Sequence, residues 1–384
     1  MAFKIPYGRQ NITQEDIDAV VETLKHDFLT QGPKVQEFEE KFAEYVGAKY
    51  ACAVSNGTAA LHLAGLALGA KKGQKIITTP ITFAATANSM LYCGAEVEFV
   101  DINPDTYLID LDLVEDKLRS HPKGTFSGVI PVDFTGLPIN SERLRKLADK
   151  YDLWIIEDAC HAPGGYFNDS KGTKVYCGNG TYSDLTCFSF HPVKHIACGE
   201  GGMITTNNKE LHTAVMRLRT HGIRKDNMIE NHGGWYHEMH DLGYNYRLPD
   251  INCALGVTQL KKADAGMLRR HEIADKYREA FKGLNFVKTQ KQPEGSFNAY
   301  HLFVIEVEQR KKTYDYLREN GIFAQIHYIP THLHPYYQKL GWKKGDFPHA
   351  EKYYENCISL PMFPTLTDEE QDYVIEKIKE STNL

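Results

Sequence analysis

Between residues 35 and 220 the chain alternates short apolar runs with amphipathic stretches. KVQEFEEKFAEYVG spaces its apolar residues like one face of a helix and stops at Gly47, a common helix end. YACAVS reads as a strand, followed by a helix from near Gly57, a strand at KIITT, a helix from about Phe83 and a strand at AEVEFVD. GVIPVDF, SERLRKLADKY and LWIIEDA continue as strand, helix and strand, and LTCFSF and GGMITT predict two more strands. Short, continuously apolar strands between helices indicate a parallel sheet covered on both faces.

The texture changes near residue 250. INCALGVTQLKKADAGMLRRHEIADKYREAF keeps helical periodicity, with only Gly256 and Gly266 as breakers. A strand at YHLFVIEV, a helix, a further extended run at FAQIHYIP and two helices follow, the pattern of an α+β lobe. The expected division is therefore an N-terminal arm and large α/β domain over 1–250, and a smaller α+β domain over 251–384. Just before this boundary, IRKDNMIENHGGWYHEMHDLGYNYRLPD is polar, aromatic and rich in Gly and His. A connection of that length points to a functional or interfacial segment.

A chain of 384 residues with 42% hydrophobic residues can bury a sizeable core. Its net charge of −6 argues against nucleic acid as the main partner, because backbone binding needs a cationic footprint. No stretch approaches the length of apolar sequence that spans a membrane, and MAFKIPYGRQNIT has no secretory pattern. The eight cysteines form no CxxC pair, which fits reduced thiols in a cytoplasmic protein.

Ligands of open α/β sheets sit beyond the carboxyl ends of the strands. Three polar clusters fall there. Ser55-Asn56-Gly57-Thr58 opens a helix and suits either a phosphate cradle or an ordinary N-cap. In IIEDACHA an apolar strand delivers Glu157, Asp158 and then His161. A carboxylate at a buried strand end needs a partner, which a protonated ring nitrogen or a structural ion pair could supply. Cys160-His161 has no second ligand pair at metal-binding spacing, so no metal is expected. In SFHPVKHIACGEGG, Ser189 ends a strand, and Lys194 follows on a loop crowded with glycines. Lys194 is either a surface lysine or a buried amine of lowered pKa able to act as a nucleophile.

Together the clusters match pyridoxal 5′-phosphate, which needs an amine, an acid facing its ring nitrogen and a phosphate cradle. Phe83, in TPITFAATAN, is a candidate to stack on such a ring, the alternative being core packing.

Across nearly its whole length the chain resembles the nucleotide-sugar aminotransferases, fold-type-I enzymes of deoxyamino-sugar biosynthesis. The motifs that carry the resemblance are FLTQGPKVQEFEEKFAEYVGAKYA, SNGTAALHLA, EDACHA, SFHPVKHIACGEGG, LGYNYRLPDINCALG and IHYIP. SFHPVK, WYHEMHDLGYNYR and HYIPTHLHPYY resemble most closely the C4 aminotransferases of pseudaminic acid biosynthesis, which act on UDP-4-keto-6-deoxy-N-acetyl-β-L-altrosamine. The resemblance implies that Lys194 carries the cofactor as a Schiff base and Asp158 pairs with its ring nitrogen. It places His161 beside the ring, Phe83 on its face, and Gly57, Thr58 and Ser189 at the phosphate. It implies a homodimer in which Asn245 reaches the neighbouring subunit's cofactor, with Arg247 close by. Thr30, Gly32, His327 and Tyr328 are implied around the nucleotide sugar, and L-glutamate as amino donor. Three features depart from the pattern: His161 stands where Gln is commoner, His195 follows the lysine directly, and YFNDSKGTKVYCGNGTYSD is a long connection. The alternatives are transfer at C3, a dTDP- or GDP-linked sugar, a sugar dehydratase, or a non-enzymatic sensor. Dehydratase relatives carry histidine at the position held here by Lys194.

Overall fold

A computed structural model describes residues 4–26, 28–226 and 228–381. At its centre lies a seven-stranded sheet. Its strands are β1 (Tyr50–Val54), β2 (Lys75–Thr78), β3 (Glu96–Phe99), β4 (Phe126–Ile130), β5 (Trp154–Asp158), β6 (Leu185–Ser189) and β7 (Gly202–Thr206). They lie side by side in the order β1-β7-β6-β5-β4-β2-β3. The pairs along β6-β5-β4-β2-β3 are parallel, while β7 runs antiparallel to both β1 and β6. The alternation of apolar runs predicts the parallel strands. It misses the reversal of β7, because a parallel return needs a long crossover, usually a helix. The loop from β6 to β7 carries no helix, so the chain turns back beside the strand it left.

The helices of this part of the chain are α1 (Gln14–Leu24), α2 (Pro33–Val46), α3 (Gly57–Ala67), α4 (Ala85–Tyr92), α5 (Leu111–Arg119), α6 (Ser141–Tyr151) and α7 (Lys209–Arg219). In α2, Pro33 begins the first turn and Gly47 closes the last in the left-handed region at φ 78°. Its buried face, Val35, Phe38, Phe42 and Val46, packs on the sheet. The Phe42 ring lies 4.9 Å from Phe188 and 5.3 Å from Phe190, so α2 clamps the strand that leads into the Lys194 loop.

The long helical run after residue 250 is two helices, α8 (Asp250–Lys261) and α9 (Ala263–Phe281). Neither glycine breaks it. Gly256 provides clearance for Phe38, whose ring a Cβ would meet at 2.7 Å. The break falls at Lys262, whose amine reaches back to pair with the buried Asp16 of α1. Cys253 and Val257 of α8 join the core under α2, whereas a second core gathers Ile5 with Ile273, Tyr277, Ile305, Ile358 and Ile378. Ile5–Pro6 pairs with Ile322–Phe323, so the N-terminal arm is tied to the C-terminal part of the chain. Of the FAQIHYIP stretch only Phe323 lies in a strand, with Ile322 just before it. The long connection after β5 is a hairpin, Tyr166–Asn168 with Lys174–Tyr176, extended by Ser296–Phe297. Among the described residues no helix is long and apolar enough to cross a membrane, and all eight cysteines are free thiols.

Gly202, at the start of β7, has the backbone of Asn56 directly against it: a Cβ there would lie 2.4 Å from the Asn56 carbonyl oxygen. Gly202→Ala is expected to force β7 away from the head of α3 and destabilise the protein by about 1–3 kcal/mol. A urea unfolding midpoint unchanged from the parent chain would refute this close packing.

Candidate active site

Five strands, β1, β2, β4, β5 and β6, point their carboxyl ends into one cavity of about 480 Å³. Each contributes through the loop it feeds: Asn56, Gly57 and Thr58 after β1; Thr82, Phe83 and Thr86 after β2; Val132 after β4; Asp158 and His161 from β5; Ser189 and Lys194 from β6.

The first wall is the SNGT turn, which caps α3. Asn56 is extended, and its Oδ1 accepts a hydrogen bond of 2.8 Å from the N–H of Ala59, capping α3. Gly57 lies so close to β6 that a Cβ would stand 3.0 Å from the Ser189 Cβ. Glycine thus brings a helix N-terminus, with its free N–H groups and positive dipole end, against the Ser189 hydroxyl.

Asp158 ends β5 and is buried. Its Oδ2 accepts from the Thr86 hydroxyl at 2.7 Å and its Oδ1 from the Cys160 N–H at 3.2 Å. Thr86 in turn shares a hydrogen bond of 2.7 Å with Thr82. The carboxylate is held at the cavity floor by neutral donors rather than by an arginine or lysine. That leaves its charge available to a cation placed in the cavity.

Lys194 follows β6 on a turn closed by its own N–H to the His191 carbonyl at 2.8 Å. It is half-buried, lines the cavity, and its Nζ lies 3.3 Å from His301 Nε2. Burial pulls the amine down to about 8; Cys160 and Asp158 pull it back up, and Arg270 lowers it further. The surface-lysine reading is excluded by this placement.

His161, His327 and Tyr328 also face the cavity. His161 Nε2 is 3.1 Å from the Tyr328 hydroxyl, and His327 Nδ1 is 2.8 Å from the Ser359 hydroxyl. Burial, reinforced by the Lys194 charge, holds both rings below their ordinary pKa, His327 at about 3, so both are neutral at pH 7. Burial and the nearby Tyr7 push the Tyr328 hydroxyl up. Phe83 is 62% exposed at the rim, its ring centre 6.0 Å from that of Tyr328, so core packing does not account for it.

Four expected residues stand outside the cavity. Thr30 bridges to Pro249, and the Gly32 N–H donates to Asp250 at 2.6 Å, just past Arg247. Arg247 bridges to Val54, and Asn245 is exposed beside Thr220. Arg247 thus sits against the end of β1, next to the residues that form the first cavity wall. His195 points away from the cavity and donates from Nε2 to the Ala299 carbonyl at 2.7 Å. Tyr7, Thr86 and His301 line the cavity without having stood out in the sequence. Thr86 sits in the same TPITFAATAN stretch as Phe83, but nothing local marks Tyr7 or His301.

Behind β5, on the face opposite Asp158, the buried Asp133, Glu157 and Cys177 bring ligand-capable atoms within 4.8 Å of one another. Glu157 Oε2 already accepts from Ser183, Thr186 and the Gly178 N–H. Burial first, and Glu157 second, hold Asp133 far above the usual carboxylate range. Neither Cys160 nor His161 joins this group.

A lysine of lowered pKa, an aspartate on a buried strand end and a helix N-terminus, all at one edge of a mostly parallel sheet, define a fold-type-I pyridoxal-phosphate enzyme. The chain belongs to the DegT/DnrJ/EryC1/StrS aminotransferase family, which residues 10–379 match. It is thus a pyridoxal-phosphate-dependent enzyme of this sugar aminotransferase family. The UDP-4-amino-4,6-dideoxy-N-acetyl-beta-L-altrosamine transaminase of Campylobacter jejuni (serotype O:23/36, strain 81-176) is 40% identical, over 98% of either chain. Among solved structures, a Streptococcus pneumoniae protein in its PMP form matches with a TM-score of 0.91 at 29% identity, covering 99% of both chains. Helicobacter pylori PseC, an aminotransferase involved in the biosynthesis of pseudoaminic acid, matches with a TM-score of 0.88 at 31% identity, over 99% of this chain and 100% of its own.

The Lys194 amine is expected to titrate near 8, mostly but not fully charged at pH 7 and largely neutral by pH 9. Reductive ¹³C-methylation of the cofactor-free protein, read by NMR against pH, measures it directly. A midpoint near the ordinary 10.5 would contradict the burial described for this amine.

Proposed function

We propose that this chain moves an amino group from L-glutamate to C4 of a nucleotide-linked 4-keto-6-deoxy sugar, with UDP-4-keto-6-deoxy-N-acetyl-β-L-altrosamine the first candidate. The observation that carries the reading is the convergence of Lys194, Asp158 and the head of α3 on one cavity. The Campylobacter jejuni transaminase and PseC support the choice of sugar.

The cavity fits pyridoxal phosphate. It offers room, a helix N-terminus at Gly57 drawn close to Ser189, a carboxylate that among the described residues is bonded only by neutral donors, and an amine of lowered pKa. Lys194 would hold the cofactor covalently, Asp158 would face its ring nitrogen, and Gly57, Thr58 and Ser189 would take its phosphate. Phe83 would cover one ring face, and His161, neutral, would stand beside the ring. When bound, the cofactor supplies an electron-accepting ring for the pair released at the substrate carbon.

The residues do the rest. Asp158 keeps a positive ring nitrogen favourable by placing a fixed negative charge against it. Lys194 Nζ, freed by the incoming donor, takes the proton from the glutamate α-carbon in one half of the cycle. In the other half it returns a proton at the sugar C4. An amine near 8 suits both directions, since it is neither fully charged nor too weak a base at neutral pH.

The neutral His327, with Tyr328, would line the sugar side. Thr30, Gly32 and Arg247, none of which lines the chain's own cavity, would act on substrate or cofactor across a homodimer interface, as would the exposed Asn245. Exposed apolar side chains nearby, Phe28, Leu29 and Leu242, support that interface. The free thiols support a reducing, cytoplasmic setting. Residues 1–250 and 251–384 would form its two lobes.

The protein loaded with pyridoxal phosphate is expected to show the visible absorbance of lysine-bound cofactor and to lose it on addition of glutamate. Lys194→Ala should lack that absorbance. Asp158→Asn should slow the bleaching by roughly tenfold or more; an unchanged rate would remove Asp158 from the assignment. A panel of UDP-, dTDP- and GDP-linked keto sugars, with products read by mass spectrometry and NMR, tests the acceptor. An amino group at C3, or transfer confined to another nucleotide, would overturn the sugar assignment, and no transfer from glutamate to any of them would overturn the whole proposal.

A further inference from the structure

Beside Lys194 the backbone from Asn298 to Leu302 makes a turn held from several sides. Arg270 is 1% exposed, and its guanidinium donates to the carbonyls of Tyr300 at 3.0 Å, His301 at 3.4 Å and Met362 at 2.8 Å. Among the described residues no carboxylate pairs with it, so a buried charge is satisfied by carbonyl oxygens alone. Such a group is costly and is kept where it fixes geometry. His195 donates to the Ala299 carbonyl, the Leu302 N–H donates to the Thr135 carbonyl at 3.1 Å, and Asn298 accepts from the Tyr300 N–H at 2.7 Å. Tyr300 itself sits at φ 51°, a left-handed conformation that a side-chain-bearing residue keeps only when its surroundings impose it.

What this turn presents is His301. The ring is buried, 4.4 Å from that of His161, and its Nε2 faces the Lys194 amine at 3.3 Å. Its Nδ1 has no protein partner. One orphan ring nitrogen also occurs at His62, His161, His195, His271 and His332, so what sets His301 apart is where its other nitrogen points. Here the single polar contact goes to the amine. Burial, and after it the Lys194 charge and His161, hold the ring well below its ordinary pKa, so it is neutral. A neutral imidazole can accept a hydrogen bond without adding a counter-charge that would keep the amine protonated.

We propose that His301 is a positioning residue for the aminotransferase reaction: its Nε2 accepts a hydrogen bond from the Lys194 amine whenever that amine is free, returning it to one fixed place. The inference rests on Lys194 being the lysine that holds the cofactor.

The test uses cofactor-free protein and follows the rate at which added pyridoxal phosphate acquires the visible absorbance of its lysine-bound form. No substrate turns over in this measurement. His301→Gln keeps an acceptor where Nε2 stood, while His301→Phe keeps the ring without one. Loading is expected within about threefold of the parent rate for Gln and slower by roughly tenfold for Phe. His301→Leu, a second variant without an acceptor, should be slowed like Phe and takes its place if Phe does not fold. Parent-like loading in the acceptor-free variants, or Gln slowed as much as Phe, would overturn the proposal. Lys194→Ala separates the two readings. Absorbance appearing in that variant sinks the lysine assignment itself, whereas its absence alongside parent-like Phe loading sinks only the role of His301.

Discussion

One constraint organises the molecule: an amine has to be taken out of water without being given a tight counter-ion. A paired lysine would stay charged and inert, and an exposed one would titrate near its ordinary value. Lys194 escapes both because neutral rings stand around it, no carboxylate forms an ion pair with it among the described residues, and Asp158 is already held by Thr86 and the Cys160 N–H. Burial then lowers the amine, while Asp158 and Cys160 keep the shift moderate. The rest of the site can be read as support for this balance.

The sheet delivers these groups by a simple device. Parallel strands end at one edge, so each loop after a carboxyl end opens onto the same space. The reversed β7 begins where its neighbours end, which turns the Lys194 loop into a short bridge across that edge. Small residues set the spacing: Gly57 against Ser189, Gly202 against Asn56, Gly256 against Phe38. Each removes a side chain where two backbones or a ring must touch. The close approach of the α3 N-terminus to Ser189 is therefore a result of packing as much as of sequence motif.

Legibility in the sequence followed the range of the interaction concerned. Asp158, Lys194 and SNGT were visible because each lies within a few residues of a strand end, and strand ends show as a break in an apolar run. Phe83 and Ser189 were visible for the same reason. Tyr7 and His301 were not, because they reach the cavity from the N-terminal arm and from a turn more than a hundred residues beyond Lys194. The break at Lys262 escaped the helical pattern because a tertiary ion pair with Asp16 sets it, against good local propensity. The direction of β7 escaped because strand hydrophobicity carries no sign.

The sequence by itself determined the alternation of elements, the three polar clusters and the chemistry they share, since these depend on neighbours along the chain and on side-chain type. The tertiary structure decided which clusters meet, how far the Lys194 amine is removed from water, and which residues face it. It also set Thr30, Gly32, Asn245 and Arg247 apart from this chain's own cavity. Those outcomes depend on distance and dielectric in three dimensions, and neither quantity is written in residue order.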